Sequence, residues 1–275
     1  MGASRRIRFV VAAAVCGVVL AACSKTTSTT APTATPTSPA AAALSGSANI
    51  FAAQSLTGAF NKIKTDFTAA AHPGVVLTIN YNGSGSLVTS IQQGAPADVF
   101  ASADTANMAK LTATGTVPTS TVQDFAKNLL QIIVKAGNPK GIHTLVDLKK
   151  PGVVVVLGDP ASVPAGKYAK QALQAAGVTV TAKSLETNVT AVATKVALGE
   201  ADAGIVYVTD VKAAVAGGQA VEGVDIPAAQ NVVAVYPIGV LKTAPNPALA
   251  QAFVAFVLSP AGQADLAGFG FLPPS

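Results

Sequence analysis

The chain is poor in the residues on which many kinds of functional site depend. Among its 275 residues there is no tryptophan, and cysteine and histidine occur only twice each. The three arginines, Arg5, Arg6 and Arg8, all lie near the N-terminus. After residue 8, lysine is therefore the only residue whose side chain is always positively charged at neutral pH. A surface that binds nucleic-acid phosphates usually carries a cluster of arginine and lysine. We therefore expect no nucleic-acid partner.

The N-terminus has the parts of an export signal. Basic residues precede an apolar stretch at residues 9–20, which is too short to span a bilayer as a mature helix. The Leu-Ala-Ala-Cys that follows, at residues 20–23, resembles the bacterial lipobox, in which the cysteine receives lipid and becomes the first mature residue. We predict a lipoprotein signal peptide at residues 1–22 and a lipidated Cys23. An ordinary secretory signal is the alternative.

Export would change the charge and leave no free thiol. Residues 1–22 contain all three arginines and no acid, so their removal lowers the formal net charge of +5 by three. Cys16 leaves with the signal, and an acylated Cys23 cannot form a disulfide, bind a metal or act as a nucleophile. Residues 23–47 consist mainly of Thr, Ser, Pro and Ala. This composition predicts a disordered tether, which would hold the protein on the extracytoplasmic side of the cell membrane.

From Ala48 onward, strand-like and helix-like patterns alternate. Apolar runs that predict strands lie at residues 49–53, 75–81, 98–101, 129–134, 153–157, 178–182, 204–208 and 232–241. Pro237 is expected to interrupt the last of these. Several are separated by segments with apolar residues at helical spacing, and Ser55 stands where it would cap the first helix. Strands that alternate with helices predict an α/β fold, and the two sets, before and after residue 150, predict two lobes.

Small and polar residues open the helices at four of the strand or loop ends. These starts lie at residues 53–55, 82–86, 164–166 and 187–189. A helix start presents backbone N–H groups without intrahelical partners and the positive end of the helix dipole. Small residues there let an anion approach the backbone. Any one of the four is explained by simple capping, but four that meet at one cleft predict an anion site.

Four segments carry the motifs of a known family. They are FAAQSL at residues 51–56, GAPADVFASAD at 94–104, GDPASVPAG at 158–166 and AGIVY at 203–207. From about Asn49 to Phe271 the chain resembles the periplasmic molybdate-binding proteins of ABC transporters. The resemblance implies a two-lobed type II periplasmic binding fold, with a mostly parallel sheet flanked by helices in each lobe and two hinge crossings. Lobe I would comprise residues 48–128 and 236–275, and lobe II residues 129–235.

The resemblance also implies the residues that would hold the ligand. Serine hydroxyls, backbone N–H groups and a tyrosine hydroxyl bind the oxyanion in that family. Carried over by position, these groups fall on Ser55, Ser84, Ala165, Val189 and Tyr207. Ser86 could take the role of Ser84, because this chain has Asn-Gly-Ser-Gly-Ser at residues 82–86.

The chemistry of the ligand agrees with this set of donors. Molybdate at neutral pH carries no proton, so its oxygens only accept hydrogen bonds, and none of the five residues is acidic. Binding proteins for amino acids and carboxylates typically use arginine, which is absent after residue 8. Sulfate, another tetrahedral oxyanion, remains an alternative ligand. Neither the preference between molybdate and tungstate nor the affinity follows from the sequence.

Other functions find less support. Ser84 lacks the spacing of a nucleophile elbow and no P-loop occurs, so we expect neither catalysis nor ATP hydrolysis by this chain. Asp98 and Asp104 are interpreted as structural, and His72 and His143 lack the companions of a metal site. We expect no cofactor, no directly bound metal ion, a monomer, and as partners an ABC permease with its ATPase. A lipid-anchored structural domain is the remaining alternative.

Overall fold

The computed structural model of the chain describes residues 44–71 and 74–274. The predicted signal peptide, Cys23, the tether up to residue 43 and His72 lie outside the described residues. The first strand begins at Gly46, two residues inside the predicted tether. In the described part of the chain, no helix has the length and apolar character needed to cross a membrane.

Strands and helices alternate along most of the described chain. The first set comprises β1 (Gly46–Ala53), α1 (Thr57–Ala71), β2 (Val75–Asn82), α2 (Ser84–Gln92), β3 (Val99–Ala101), α3 (Thr105–Ala113) and β4 (Gln123–Lys135). The second comprises β5 (Val155–Gly158), α4 (Pro164–Ala175), β6 (Ser184–Glu186), α5 (Val189–Ala197), β7 (Ala203–Tyr207), α6 (Val208–Ala216) and β8 (Val221–Asp225). The last elements are β9 (Val233–Val240), α7 (Pro247–Leu258) and α8 (Pro260–Gly268).

The strands form two sheets that share β4. The first sheet has the order β2-β1-β3-β9-β4, and in the second β4 lies between β8 and β7, followed by β5 and β6. The pairs β1–β2, β1–β3, β5–β6 and β5–β7 are parallel, whereas the pairs that involve β4 or β9 are antiparallel. The α/β class is confirmed. Parallel pairs lie toward β2 in the first sheet and toward β6 in the second, antiparallel pairs join the two sheets, and β8 is an antiparallel edge strand.

The chain passes between the two sheets within β4. Leu129 pairs with Val233 of β9 in the first sheet, and the next residue, Leu130, pairs with Tyr207 of β7 in the second. The return passage comes just before β9. There the side-chain amide of Asn231 accepts from the N–H of Leu130 at 3.0 Å and donates to its carbonyl oxygen at 2.9 Å. The predicted lobe boundaries at residues 128/129 and 235/236 fall inside β4 and β9 and stay a prediction.

The C-terminal helices pack back on the first sheet. Helix α7 lies against β1, β9 and α1, and α8 packs on α1 and α7. Beyond α8, Leu272 forms a bridge with Lys127 of β4. Aromatic rings pack between these helices and the strands in edge or tilted contacts, with ring centroids 5.3–6.2 Å apart. The contacts run from α7 to the end of β7. The residues in contact are Phe256, Phe67, Phe253, Phe60, Phe125, Tyr236, Phe271 and Tyr207.

Two predicted elements differ from the structure. The predicted strand at residues 178–182 is wrong, because pairing with β5 begins only where the N–H of Lys183 donates to the carbonyl of Val155, and the strand is Ser184–Glu186. Pro237 does not interrupt β9. It lies opposite Asp124, next to a shift of register in β4, and its carbonyl accepts from the N–H of Ser102. A proline without an N–H is tolerated at such an irregularity.

Candidate functional site

All five residues predicted to bind the ligand line one hollow between the two sheets. Its walls are Ala53, Gln54, Ser55, Asn82, Gly83, Ser84, Ala103, Val163, Pro164, Ala165, Val189 and Tyr207. The centre of a water molecule can reach only about 10 Å³ of this hollow, which is near the least that a cavity needs to hold one water. The structure therefore brings the five together around a space for one small group. Ser86 is not among the lining residues.

Three helices begin at this hollow. Ser84 is the first residue of α2, Pro164 the first of α4 and Val189 the first of α5. Proline at the first helical position leaves Ala165 as the first residue of α4 with an N–H to offer. The positive ends of three helix dipoles thus point into the same space. Uncharged backbone groups can thereby stabilise a negative charge there.

The Ser84 hydroxyl is positioned to donate. Its side chain is fully buried, and its Oγ accepts a hydrogen bond of 3.1 Å from the N–H of Ala103. Because the oxygen already accepts from the backbone, its own proton remains for a group inside the hollow. Gly83, just before α2, also lies close to Thr187, which precedes α5 on the opposite side of the hollow. A Cβ at Gly83 would come within 2.7 Å of the carbonyl oxygen of Thr187.

The Ser55 hydroxyl is oriented from behind by a second tyrosine. Ser55 Oγ lies 2.9 Å from the hydroxyl oxygen of Tyr236, and Asn128 Nδ2 donates to that same oxygen at 3.5 Å. If Tyr236 donates to Ser55, the proton of Ser55 is free for the hollow. The prediction that Ser55 caps the first helix is wrong. Ser55 lies within a 3-10 turn, Gln54–Leu56, and its hydroxyl bonds to Tyr236 instead.

The Tyr207 hydroxyl is buried and has no hydrogen-bond partner among the described residues. An unpaired buried hydroxyl costs stability, so its retention calls for an explanation. Burial, followed by the nearby Tyr236, raises the pKa of Tyr207 well above its ordinary value. The group therefore stays protonated and acts as a neutral donor. A ligand in the hollow would supply the missing acceptor.

Among the described residues that line the hollow, none carries a charge. The two acids interpreted as structural from the sequence, Asp98 and Asp104, have such roles. Asp98 accepts from the N–H of Asn49 at 2.7 Å, and Asp104 caps α3 by accepting from the N–H of Asn107 at 2.8 Å. Asp210 lies behind the hollow, where its carboxylate accepts from the N–H of Tyr207. Burial raises the pKa of Asp210 to about 7, although the N–H bond from Tyr207 lowers it in part.

This arrangement can bind a small anion that carries no proton. Every polar side chain carried over to the site is a hydroxyl, and the backbone offers N–H groups. A ligand oxygen that bore a proton would need an acceptor, and no carboxylate of the described lining can serve. Larger hollows exist elsewhere, such as one of about 470 Å³ beside α4. That one is lined mostly by apolar side chains, among them Leu157, Leu173 and Val178.

The sequence did not predict the supporting residues Tyr236, Asn128 and Ala103. Tyr236 and Asn128 lie on β9 and β4, far along the chain from Ser55, and no local motif links them. Asn128 offered one signal, because a polar residue beside a strongly apolar run is often a hydrogen-bonding partner in the core. Its side chain is fully buried and donates to Thr209 Oγ1 at 2.8 Å.

Comparison with known proteins identifies the family of the chain. A family model described as bacterial extracellular solute-binding protein matches residues 48–272. The molybdate-binding protein ModA of Mycobacterium tuberculosis is 44% identical over 228 residues, which cover 82% of this chain and 84% of that one.

Solved structures show the same fold. The substrate-binding domain of a putative molybdenum ABC transporter from Clostridium difficile is 31% identical, with a TM-score of 0.62, and the match covers 82% of this chain and 98% of that one. The sulfate-binding protein SubI of M. tuberculosis is 24% identical, with a TM-score of 0.75 and coverage of 82% and 86%, and shows the fold alone. The chain therefore belongs to the bacterial extracellular solute-binding proteins.

Proposed function

We propose that the chain captures molybdate, and also tungstate, in the hollow between its two sheets and delivers it to an ABC transporter permease. One observation carries the proposal. The hollow joins three helix N-termini with the hydroxyls of Ser55, Ser84 and Tyr207, and the described residues around it offer no charge. Such a site suits a dianion whose oxygens only accept hydrogen bonds. The 44% identity to a molybdate-binding protein supports the same ligand.

The mechanism is closure of the two sheets on the ion. Ser55 and Ser84 lie on elements that accompany the first sheet, and Ala165, Val189 and Tyr207 belong to the second. An ion bridged by both groups binds the closed arrangement better than an open one, so it shifts the population toward closure. The permease then recognises the closed form. Release follows when the halves separate and the donors return to water.

The proposal includes the location of the protein. A family of extracellular solute-binding proteins acts outside the cytoplasm. We propose that a lipid on Cys23 anchors this chain to the membrane and that the tether lets the folded part reach the permease. We further propose that the protein acts as a monomer without catalytic activity, and that a separate ATPase drives transport.

Calorimetric titration tests the ligand. We expect the purified protein to bind molybdate and tungstate tightly, and sulfate and phosphate weakly or not at all. Phosphate should bind weakly because it keeps a proton near neutral pH and the described lining has no carboxylate to accept it. Tight binding of sulfate without a response to molybdate would reassign the protein to sulfate, the other tetrahedral oxyanion considered from the sequence.

A serine variant tests the site. Ser84→Ala removes one donor to the anion, so we expect molybdate affinity to fall by roughly 1–3 kcal/mol, the scale of a hydrogen bond to a charged group. Ser86→Ala is the matched control, because Ser86 is two residues away and does not line the hollow. It should bind like the unchanged protein. Equal dissociation constants for the Ser84 variant and the unchanged protein would remove Ser84 from the site.

A further inference from the structure

The two halves of the molecule touch at a second place, outside the hollow. The N–H of Gly85, in the first turn of α2, donates to the carbonyl oxygen of Ser162 at 2.9 Å. Helix α2 packs on β1 of the first sheet, whereas Ser162 lies in the loop that leads into α4, which packs on β5 and β7 of the second. This hydrogen bond therefore joins the two halves directly.

The loop before α4 is built to present that carbonyl. The carboxylate of Asp159 accepts from the N–H of Ala161 at 3.0 Å and from the hydroxyl of Ser162 at 3.2 Å. The carbonyl of Asp159 also accepts from the N–H groups of Ser162 and Val163. These bonds fix the turn, and the carbonyl of Ser162 faces α2.

Only glycine fits on the opposite side of this contact. A Cβ built at Gly85 would come within 2.6 Å of the carbonyl oxygen of Ser162 and 2.9 Å of its Cα. Both neighbouring atoms belong to the backbone, so no side-chain rotation could relieve the contact. Gly85 has no positive φ, so the turn of α2 does not itself require glycine. The close approach of the two halves requires glycine at this position.

An ion pair crosses the same gap. Lys167 Nζ, on α4, lies 3.5 Å from Asp104 Oδ2, on the cap of α3. The Asp104 side chain is 2% exposed and that of Lys167 is 39% exposed. Lys110 lies beside this gap as well, but it donates to Asn107 of its own helix at 2.9 Å and so does not connect the halves.

We propose that the Gly85–Ser162 hydrogen bond and the Lys167–Asp104 ion pair form a clasp that holds the halves closed and sets the rate at which the oxyanion leaves. The inference rests on the proposed function. Gly85, Ser162, Asp104 and Lys167 do not line the hollow, so they act as positioning residues. Because both contacts join the two halves, they break if the halves separate and so favour the closed arrangement whether or not an ion is bound.

Rapid-mixing kinetics with molybdate tests the clasp. Lys167→Met keeps the length of the side chain and removes its charge, so we expect the dissociation rate to rise about threefold, within the range for a partly exposed ion pair. Association should be unchanged. In the unchanged protein, dissociation should accelerate as salt screens the pair, and the variant should lose that dependence. Lys110→Met is the matched control and should leave dissociation unchanged.

Gly85→Ala tests the close approach of the backbones. Alanine favours the helix, so α2 should fold as before, whereas the closed arrangement should be blocked. We expect dissociation to accelerate by more than tenfold. Small-angle X-ray scattering of the ligand-free protein should show a larger radius of gyration for this variant than for the unchanged protein.

Several outcomes would overturn the clasp. A Lys167→Met variant that associates more slowly but dissociates normally would show that Lys167 attracts the anion instead. A Gly85→Ala variant with unchanged dissociation would show that the halves are held by the ligand alone. If the protein bound no oxyanion, the proposed function would fail. Small-angle scattering would still test the clasp, because equal radii of gyration for the Gly85→Ala variant and the unchanged protein would refute it.

Discussion

At the scale of single residues, the site depends on where hydroxyl protons can go. The hydroxyl oxygen of Ser84 accepts from the backbone N–H of Ala103, and the hydroxyl of Ser55 is hydrogen-bonded to the hydroxyl of Tyr236. Each of these two hydroxyls therefore already has a partner within the protein. Tyr207 differs, because its buried hydroxyl lacks a partner among the described residues. The unpaired hydroxyl weakens the empty protein and becomes useful only when a ligand arrives.

Removal of the Tyr207 hydroxyl should therefore affect binding without harming the fold. We expect Tyr207→Phe to weaken molybdate binding by roughly 1–3 kcal/mol and to leave the unfolding free energy of the empty protein unchanged or higher. Calorimetry and urea denaturation would measure the two. Tyr236→Phe is the contrasting variant, since its hydroxyl is bonded to Ser55 and Asn128, and it should lower the stability of the empty protein. A destabilised Tyr207→Phe protein would contradict this account.

At the scale of elements, the crossing between the sheets depends on one side chain. Asn231 pairs with both backbone polar groups of Leu130, as a neighbouring strand would, at the point where β4 leaves the first sheet. Leu130 is buried, so these groups have little access to water. The amide thus completes hydrogen bonding where strand pairing changes partner.

Loss of that amide should destabilise the crossing. We expect Asn231→Ala to lower the unfolding free energy by about 1–3 kcal/mol, because it leaves a buried N–H and a buried carbonyl without partners. Asn231→Asp keeps an acceptor for the N–H of Leu130 but sets a carboxylate oxygen against the carbonyl oxygens of Leu130 and Ile226, so we expect it to lower the unfolding free energy at least as much as Asn231→Ala. Urea denaturation measures the free energies. Unfolding curves that superimpose for all three proteins would contradict the role of Asn231.

The elements also show what the sequence could predict. The periodicity of apolar residues was enough for β1, α1, β2, α2, α5 and β7, since each is a local pattern of burial. It failed at residues 178–182, where an alternating apolar stretch has the composition of a strand but lacks a neighbour to pair with. The residue pair Ser55–Tyr236, 181 positions apart, depends on how β9 lies in the sheet and leaves no local trace. The ligand set came from family resemblance, and the structure shows that its members share one hollow.

At the scale of the whole molecule, stability should depend on pH through Asp210. Burial raises its pKa from 3.8 to about 7 in the folded state. Between these values the folded protein holds a proton that the unfolded chain has released, so stability falls as the pH rises through this range. The loss ends once the pH exceeds the folded pKa.

An asparagine at position 210 should remove this dependence. Asp210→Asn still offers an oxygen to the N–H of Tyr207 but does not ionise. We expect the unfolding free energy of the variant, relative to that of the unchanged protein, to rise from pH 5 to pH 7 by on the order of 1 kcal/mol for each pH unit. Urea denaturation at several pH values measures the difference. A difference that stays constant with pH would show that Asp210 does not titrate in this range.

The sharing of β4 by both sheets also limits how the halves can move. One continuous strand of 13 residues serves both sheets, so the halves cannot drift apart as independent bodies on loose linkers. They can only swing by bending and twisting a hydrogen-bonded ribbon, which limits how wide the gap can open. A swing about this ribbon returns Ser55 and Ser84 to the same places opposite Ala165 and Val189 each time the gap closes, so the donors around the hollow meet in one fixed register.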